Sequence, residues 1–144
     1  MAYPTPPKKT TSMSSMSNRM SSSKEGEFCS YLMSSAVQMH IYHLRSKGPG
    51  SFAMHMALGT LYDALPDLTD ALAESIQGKM GLLDYTYSAS YDNNVGGALM
   101  HVRECLNYVK ETRKAICQDT YVQNQIDGIE ELFYSTIYKL ENLQ

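Results

Sequence analysis

Residues 51–79, SFAMHMALGTLYDALPDLTDALAESIQGK, carry the clearest periodic pattern of the chain. Their apolar side chains recur every three or four residues, which is the period of one face of an α-helix; they are Leu58, Leu61, Leu65, Leu68, Leu72 and Ile76. The preceding run Lys47-Gly48-Pro49-Gly50 breaks the chain, and Ser51 is a suitable N-cap. Because proline removes a backbone donor, Pro66 predicts either a kink in this helix or its division into two.

The same period occurs in three further segments, residues 27–46, 95–117 and 120–142, and a tyrosine-bearing connection over residues 80–93 separates the second helix from the third. Four long amphipathic helices predict an all-α fold. The arrangement that we expect is a ferritin-like four-helix bundle over residues 27–144, in which the long connection is the crossover between helices 2 and 3.

Residues 1–26 have a different composition, rich in Ser, Thr, Pro and Met and without apolar periodicity. Such a segment buries too little apolar surface to offset its loss of conformational entropy, so it is predicted to be disordered. Its charged residues give a net charge of +3, while the rest of the chain carries −6; they are Lys8, Lys9, Arg19, Lys24 and Glu25. The tail is either a solubilising leader or a weakly basic arm that seeks the phosphates of DNA.

Composition excludes several classes of protein. The chain has 144 residues, enough for one domain with a core, and 12 Lys and Arg against 15 Asp and Glu, which argues against a generally basic nucleic-acid binder. It contains neither an apolar run long enough to cross a membrane nor the apolar core of a secretory leader. Three cysteines without a CxxC motif argue against disulfide frameworks and zinc ribbons, and favour a reducing, cytoplasmic location.

The second helix also has a polar face opposite its leucines. With His55 set at zero and about 100° per residue, the acidic side chains lie at about 60° to 120° and the leucine stripe near 260°; the acidic residues are Asp63, Asp67, Asp70 and Glu74. This face is either an ordinary solvated surface or part of a histidine–carboxylate site for iron, manganese or zinc. Because it points away from the core, such a site would need another subunit to complete it.

One stretch resembles the signature of the Dps proteins, the DNA-protecting mini-ferritins: His43-Leu-Arg-Ser-Lys-Gly-Pro-Gly-Ser-Phe-Ala-Met-His55. The resemblance continues through Tyr62 and Asp70-Ala-Leu-Ala-Glu74 and covers about residues 36–80. In that family the iron-oxidising centre lies between two subunits. The resemblance therefore implies that His43 and His55 bind metal together with Asp70 and Glu74 of a neighbouring subunit.

Two positions depart from the family pattern. Gly59 stands where the family has a further aspartate ligand, and Leu44 stands where it has a tryptophan. Asp63, one helical turn beyond Gly59, is a substitute ligand with a poorer direction. The loss of a carboxylate leaves three alternatives open: the centre binds one ion, binds weakly, or is vestigial.

The function that the resemblance implies is a Dps-like homo-oligomer, from dimer to dodecamer, that binds iron, with ferroxidase activity, iron storage and DNA protection as further expectations. Its DNA contacts would come from Lys8, Lys9, Arg19 and Lys24. The alternative is a non-catalytic ferritin-like structural or DNA-binding protein with a degenerate metal site, associated with a phage virion. Either protein would be located in the cytoplasm of a bacterium or of a phage-infected host cell, or in the virion.

Overall fold

The computed structural model describes residues 13–86 and 89–143, with side chains from residue 24 onward. Four α-helices follow one another: α1 (Met13–Arg45), α2 (Ser51–Met80), α3 (Ala98–Thr112) and α4 (Thr120–Asn142). Short 3₁₀ turns flank α3 at Val95–Gly97 and Arg113–Ala115, and the described residues contain no strand. The prediction of an all-α fold with four helices is confirmed. None of the helices in these two ranges is long and apolar enough to cross a membrane.

The second helix matches its predicted range closely and is continuous through Pro66. Its start differs in detail from the prediction, because Gly50 occupies the N-cap position and Ser51 is the first helical residue, with its Oγ donating to the Gly48 carbonyl at 2.6 Å. The helix ends where Gly81 adopts a φ of 90° and donates its N–H to the Gln77 carbonyl at 2.9 Å. Since residues with an L side chain rarely adopt this φ, glycine is well suited to the position that ends the helix.

The first helix begins at Met13, earlier than the predicted start at residue 27. Its buried stretch includes two residues that were assigned to the tail. Glu25 is 1% exposed and its Oε1 accepts the Cys117 N–H at 2.9 Å, while the backbone of Asp84 lies against Gly26. The boundary at residue 26 therefore does not coincide with the start of α1. Residues 1–12 of the predicted disordered tail, like the side chains of residues 13–23, lie outside the described part of the chain.

The helices pack around one apolar core. The helix α1 packs mainly on α2, α2 also packs on α4, α4 packs on α3, and the contact between α1 and α3 is smaller. The leucines of the α2 stripe are fully buried except Leu68, which packs against the edge of the core. This burial turns the opposite face of α2 outward, and Asp63, Asp70 and Glu74 on that face are exposed.

The connection between α2 and α3 lies along α1. Near its start the backbone of Asp84 contacts Gly26, and near its end Asp92 is held by Gln38. The Gln38 side-chain amide donates to the Asp92 carbonyl and accepts the Asp92 N–H, both at 2.7 Å. The Tyr42 hydroxyl adds a bond to the Asp92 carboxylate at 3.1 Å. Three hydrogen bonds therefore fix the end of the connection to the last two turns of α1.

Candidate metal centre

Two histidines face each other where α1 ends and α2 begins. The short turn over residues 46–50 reverses the chain, so that His43 in the last turn of α1 lies beside His55 in the second turn of α2. Their imidazole rings are stacked, with centroids 3.6 Å apart and planes inclined by 23°. Both side chains are half-buried at the surface of the bundle. The pair proposed from the sequence is thus brought together within one chain.

Each imidazole is anchored to the backbone of the other residue. His43 Nδ1 lies 2.8 Å from the His55 carbonyl oxygen, and His55 Nδ1 lies 3.0 Å from the His43 carbonyl oxygen. Because a carbonyl oxygen only accepts hydrogen bonds, both Nδ1 atoms carry the proton and act as donors. In a neutral ring the lone pair then belongs to Nε2, which is the tautomer that a metal-binding histidine adopts when its other nitrogen is held by a carbonyl.

The surroundings of the pair explain its ring positions. Tyr62 lies edge-on to His43, with ring centroids 5.0 Å apart, and stacks on His40 with centroids 4.0 Å apart. His40 is therefore engaged with Tyr62, and its ring lies 6.1 Å from that of His43 between centroids, so these two histidines do not form a close pair. On the other side, a Cβ atom added to Gly59 would lie 3.2 Å from both Cε1 and Nδ1 of His43.

The predicted carboxylate ligands lie elsewhere on the same helix. Asp70 and Glu74 are 15 and 19 residues beyond His55, which corresponds to about 22 and 28 Å along α2. Asp63 is nearer, about 12 Å along the helix, and points into solvent with the others. Within the described residues no group of three or more His, Cys, Asp or Glu side chains is close enough to hold a metal ion. One chain thus contributes the two imidazoles and no carboxylate beside them.

Two of the four predicted DNA-binding residues lie in the described part of the chain. Lys8 and Lys9 lie outside the described residues, and Arg19 belongs to α1 although its side chain is not described. Lys24 is exposed on α1 immediately before the buried Glu25. Two of these four positions thus lie on a helix, whereas the sequence predicted all four in a disordered tail.

A second polar cluster was not predicted from the sequence. It lies between α1 and α3, where Tyr42 bonds to Asp92 and contacts the ring of His101 edge-on at 5.8 Å between centroids. Burial, and then the neighbouring Asp92 carboxylate, raise the pKa of Tyr42 to about 12. Burial lowers the pKa of His101. No motif marks this cluster, because Asp92 comes from the long connection and only the fold brings it to Tyr42.

Two of the three thiols have raised pKa values. Cys29 and Cys105 are buried, Cys117 is half-buried, and all three are free. Burial, and then the charge of Glu25, raise the pKa of the Cys29 thiol to about 12, and burial also raises that of Cys105. Since the thiolate is the reactive form, these two thiols are poor nucleophiles.

Comparison with known families finds a match over most of the chain. A family of unknown function, DUF5856, matches residues 43–140, which is more than half of the chain and includes both histidines. The chain belongs to this family. No curated protein and no solved structure matches it.

Proposed function

We propose that this DUF5856 member is a Dps-like, ferritin-like oligomer whose subunits bind a divalent metal ion, iron in the first place, at His43 and His55. The observation that carries the proposal is the exchange of hydrogen bonds between each imidazole Nδ1 and the carbonyl of the other histidine. It fixes both rings and leaves both Nε2 lone pairs available, and imidazole nitrogen is a good ligand for iron, zinc and copper. A bound ion of this kind would supply Lewis acidity or, for iron, redox chemistry.

The course of the chain supports a ferritin-like bundle. The packing order α1, α2, α4, α3 makes α2 and α3 diagonal neighbours, so the connection between them has to pass over the bundle. From Gly26 to Gln38 this connection follows α1 for about 18 Å. The start of α3 therefore lies near the start of α2, and Val95 and Ser51 line one cavity of about 230 Å³. Parallel α2 and α3 joined by a crossover are features of ferritin-like bundles.

A second copy of the chain can supply the carboxylates that one chain lacks. If α2 packs antiparallel on α2 of a partner around a two-fold axis near Asp63, His55 of one subunit faces Asp70 and Glu74 of the partner subunit, because residue 63 is midway between these positions. Exposed apolar side chains beside the histidines favour such a contact. Leu44 is 69% exposed and Phe52 is 76% exposed, and large exposed apolar groups often mark protein interfaces.

An anaerobic Fe(II) titration of the full chain tests the metal site. We expect saturable binding that weakens at least 10-fold in His55→Ala, because loss of a ligand costs at least as much as loss of a residue that orients one. The matched control is His40→Ala, which removes a nearby imidazole that stacks on Tyr62. Equal binding by wild type and His55→Ala would refute the site. A monomer in solution, measured by light scattering, would refute the shared carboxylates.

The second candidate function is a non-catalytic structural or DNA-binding assembly. It is favoured by Gly59, which supplies no ligand, and by the absence of a three-ligand group in the described residues. In this case the paired histidines join α1 to α2 without metal, and repeated basic tails bind DNA by avidity.

The DNA-binding hypothesis is tested by neutralising charge rather than by truncation, since α1 already begins at Met13. A variant with Lys8, Lys9, Arg19 and Lys24 all changed to Gln should lose retardation of duplex DNA at low salt, and wild-type retardation should weaken steeply as salt rises. As a control, Arg45 and Lys47, which are exposed near the turn after α1, are changed to Gln. Unchanged retardation in the tail variant removes the tail from the hypothesis.

A further inference from the structure

We infer that Gly59 is a positioning residue of the proposed metal site, and that its missing side chain limits the site to one ion per pair of histidines. This inference rests on the proposed function. It concerns the space beside His43, which is filled in this chain by the imidazole ring rather than by a ligand from position 59. Restoring the aspartate that the Dps resemblance would place there should therefore weaken the site.

The space beside Gly59 is too small for a side chain while His43 keeps its position. A Cβ atom at residue 59 would lie 3.2 Å from Cε1 and 3.2 Å from Nδ1 of His43, closer than the 3.5–4.0 Å of optimal contacts between carbon atoms. The contact could be relieved only if one neighbour moved by a few tenths of an ångström. Because Gly59 lies inside the continuous helix α2, the neighbour that has to move is the ring.

The His43 ring has little freedom to move. Its Nδ1 is held at 2.8 Å by the His55 carbonyl, one face is stacked on His55 at 3.6 Å between centroids, and Tyr62 lies edge-on to it. A displacement away from position 59 would weaken the hydrogen bond that selects the Nδ1–H tautomer. The Nε2 lone pair would then no longer be fixed, and one of the two ligands of the site would be lost to tautomer exchange or rotation.

The same contact limits the number of ions. The Dps resemblance places a further carboxylate ligand at position 59, and a side chain there would compete for volume with the His43 ring. Within the described part of the chain, no third His, Cys, Asp or Glu joins the pair in a group that could hold a metal ion. The site therefore consists of two Nε2 atoms from one chain, completed from outside it. Such a donor set suits one borderline divalent ion, such as Fe²⁺, Co²⁺ or Zn²⁺, rather than Mg²⁺ or Ca²⁺.

Cobalt(II) titration of the metal-free full chain, followed by visible absorption and elemental analysis, tests the inference. We expect one ion per chain for wild type, at least 10-fold weaker binding for Gly59→Ala, and no second ion for Gly59→Asp. The matched control is Gly78→Ala on the same helix, where an added Cβ meets nothing within 4 Å, and its binding should equal that of wild type. Unchanged binding by Gly59→Ala, or two ions bound by Gly59→Asp, would overturn the inference.

A measurement without metal separates this inference from the proposed function. In nitrogen NMR of the metal-free protein, wild type and Gly78→Ala should both show His43 and His55 as Nδ1–H tautomers. Gly59→Ala should shift the His43 ring signals toward those of a mixture. If wild type binds no cobalt, the proposed metal function fails, whereas the role of Gly59 stands or fails by these signals alone. Identical His43 signals in Gly59→Ala and wild type would refute that role.

Discussion

Replacement of Gly26 by alanine tests the packing of α1 beneath the connection between α2 and α3. An added Cβ atom would overlap the carbonyl oxygen of Asp84 and lie 2.7 Å from its carbonyl carbon. An ordinary contact between two carbon atoms needs about 3.5 Å or more. The two backbones therefore have to separate by about 1 Å, and neither is a flexible side chain that could turn away.

The magnitude follows from two opposing terms. Overpacking of a well-filled interior costs about 1–3 kcal/mol, and alanine in a helix interior recovers about 0.5–1 kcal/mol relative to glycine. If the connection separates from α1 instead, Leu83, which is 6% exposed, loses part of its burial. A buried leucine contributes about 2 kcal/mol to the free energy of unfolding. We expect a net loss of about 1–2 kcal/mol in the free energy of unfolding, or a melting temperature lower by about 3–6 °C for a chain of this size.

The assay is urea unfolding followed by circular dichroism, together with a thermal melt. The control is Gly128→Ala in the interior of α4, where an added Cβ meets nothing within 4 Å. That substitution should raise stability by about 0.5–1 kcal/mol, since only the helix preference of alanine remains. If Gly26→Ala were as stable as Gly128→Ala, the close approach of Asp84 to α1 would be wrong, and with it the inclusion of this segment in the folded body.

Three further predictions concern polar contacts that the fold creates. Gln38→Ala removes both hydrogen bonds to the Asp92 backbone and should lower the free energy of unfolding by about 1–3 kcal/mol. It should also accelerate amide exchange in residues 89–94, and unchanged exchange would contradict the contact. Burial and Asp92 raise the pKa of Tyr42 to about 12, so the unfolded chain loses this proton at a lower pH than the folded chain, and the free energy of unfolding should fall as pH rises from 10 to 12. Absorbance near 295 nm follows the ionisation of the tyrosine. A Tyr42 midpoint near 10 would be evidence against the buried hydrogen bond. Arg113→Met removes the bond to Glu130 at 2.7 Å, in which both side chains are largely buried, together with the bonds from Arg113 to Asp127 and Gln123. It should lower stability by about 1–3 kcal/mol in urea unfolding. A loss below about 0.5 kcal/mol would mean that this group of bonds contributes little.

Sequence periodicity was sufficient to predict the range of α2 and the number of helices. The stripe from Leu58 to Ile76 defines the buried face by spacing alone, and the exposed positions of Asp70 and Glu74 follow from the same arithmetic. The start of α1 could not be found in this way. Glu25 and Gly26 are buried because Cys117 and Asp84, which are remote in sequence, pack against them, and a local composition rich in serine gives no sign of such contacts.

The candidate metal centre was likewise predictable only in part from the sequence. The resemblance to the Dps signature paired His43 with His55, and the structure brings their two rings together across the turn. The exchange of Nδ1 bonds with the opposite carbonyls was not foreseeable, because it depends on the distance and rotation between two packed helices. Gly59 illustrates the difference: the Dps resemblance places a ligand at this position, whereas in the structure a Cβ atom there would lie 3.2 Å from the His43 ring.

By itself, the sequence determined which faces of the helices are apolar, that four helices form, and which residue types could bind a metal, since these properties depend on local order and side-chain chemistry. Only the tertiary structure decided where the folded body begins, which nitrogen of each histidine is left as an acceptor, and how closely the His43 ring approaches position 59. These depend on contacts between atoms far apart in the chain, and their distances are set by the packing of whole helices.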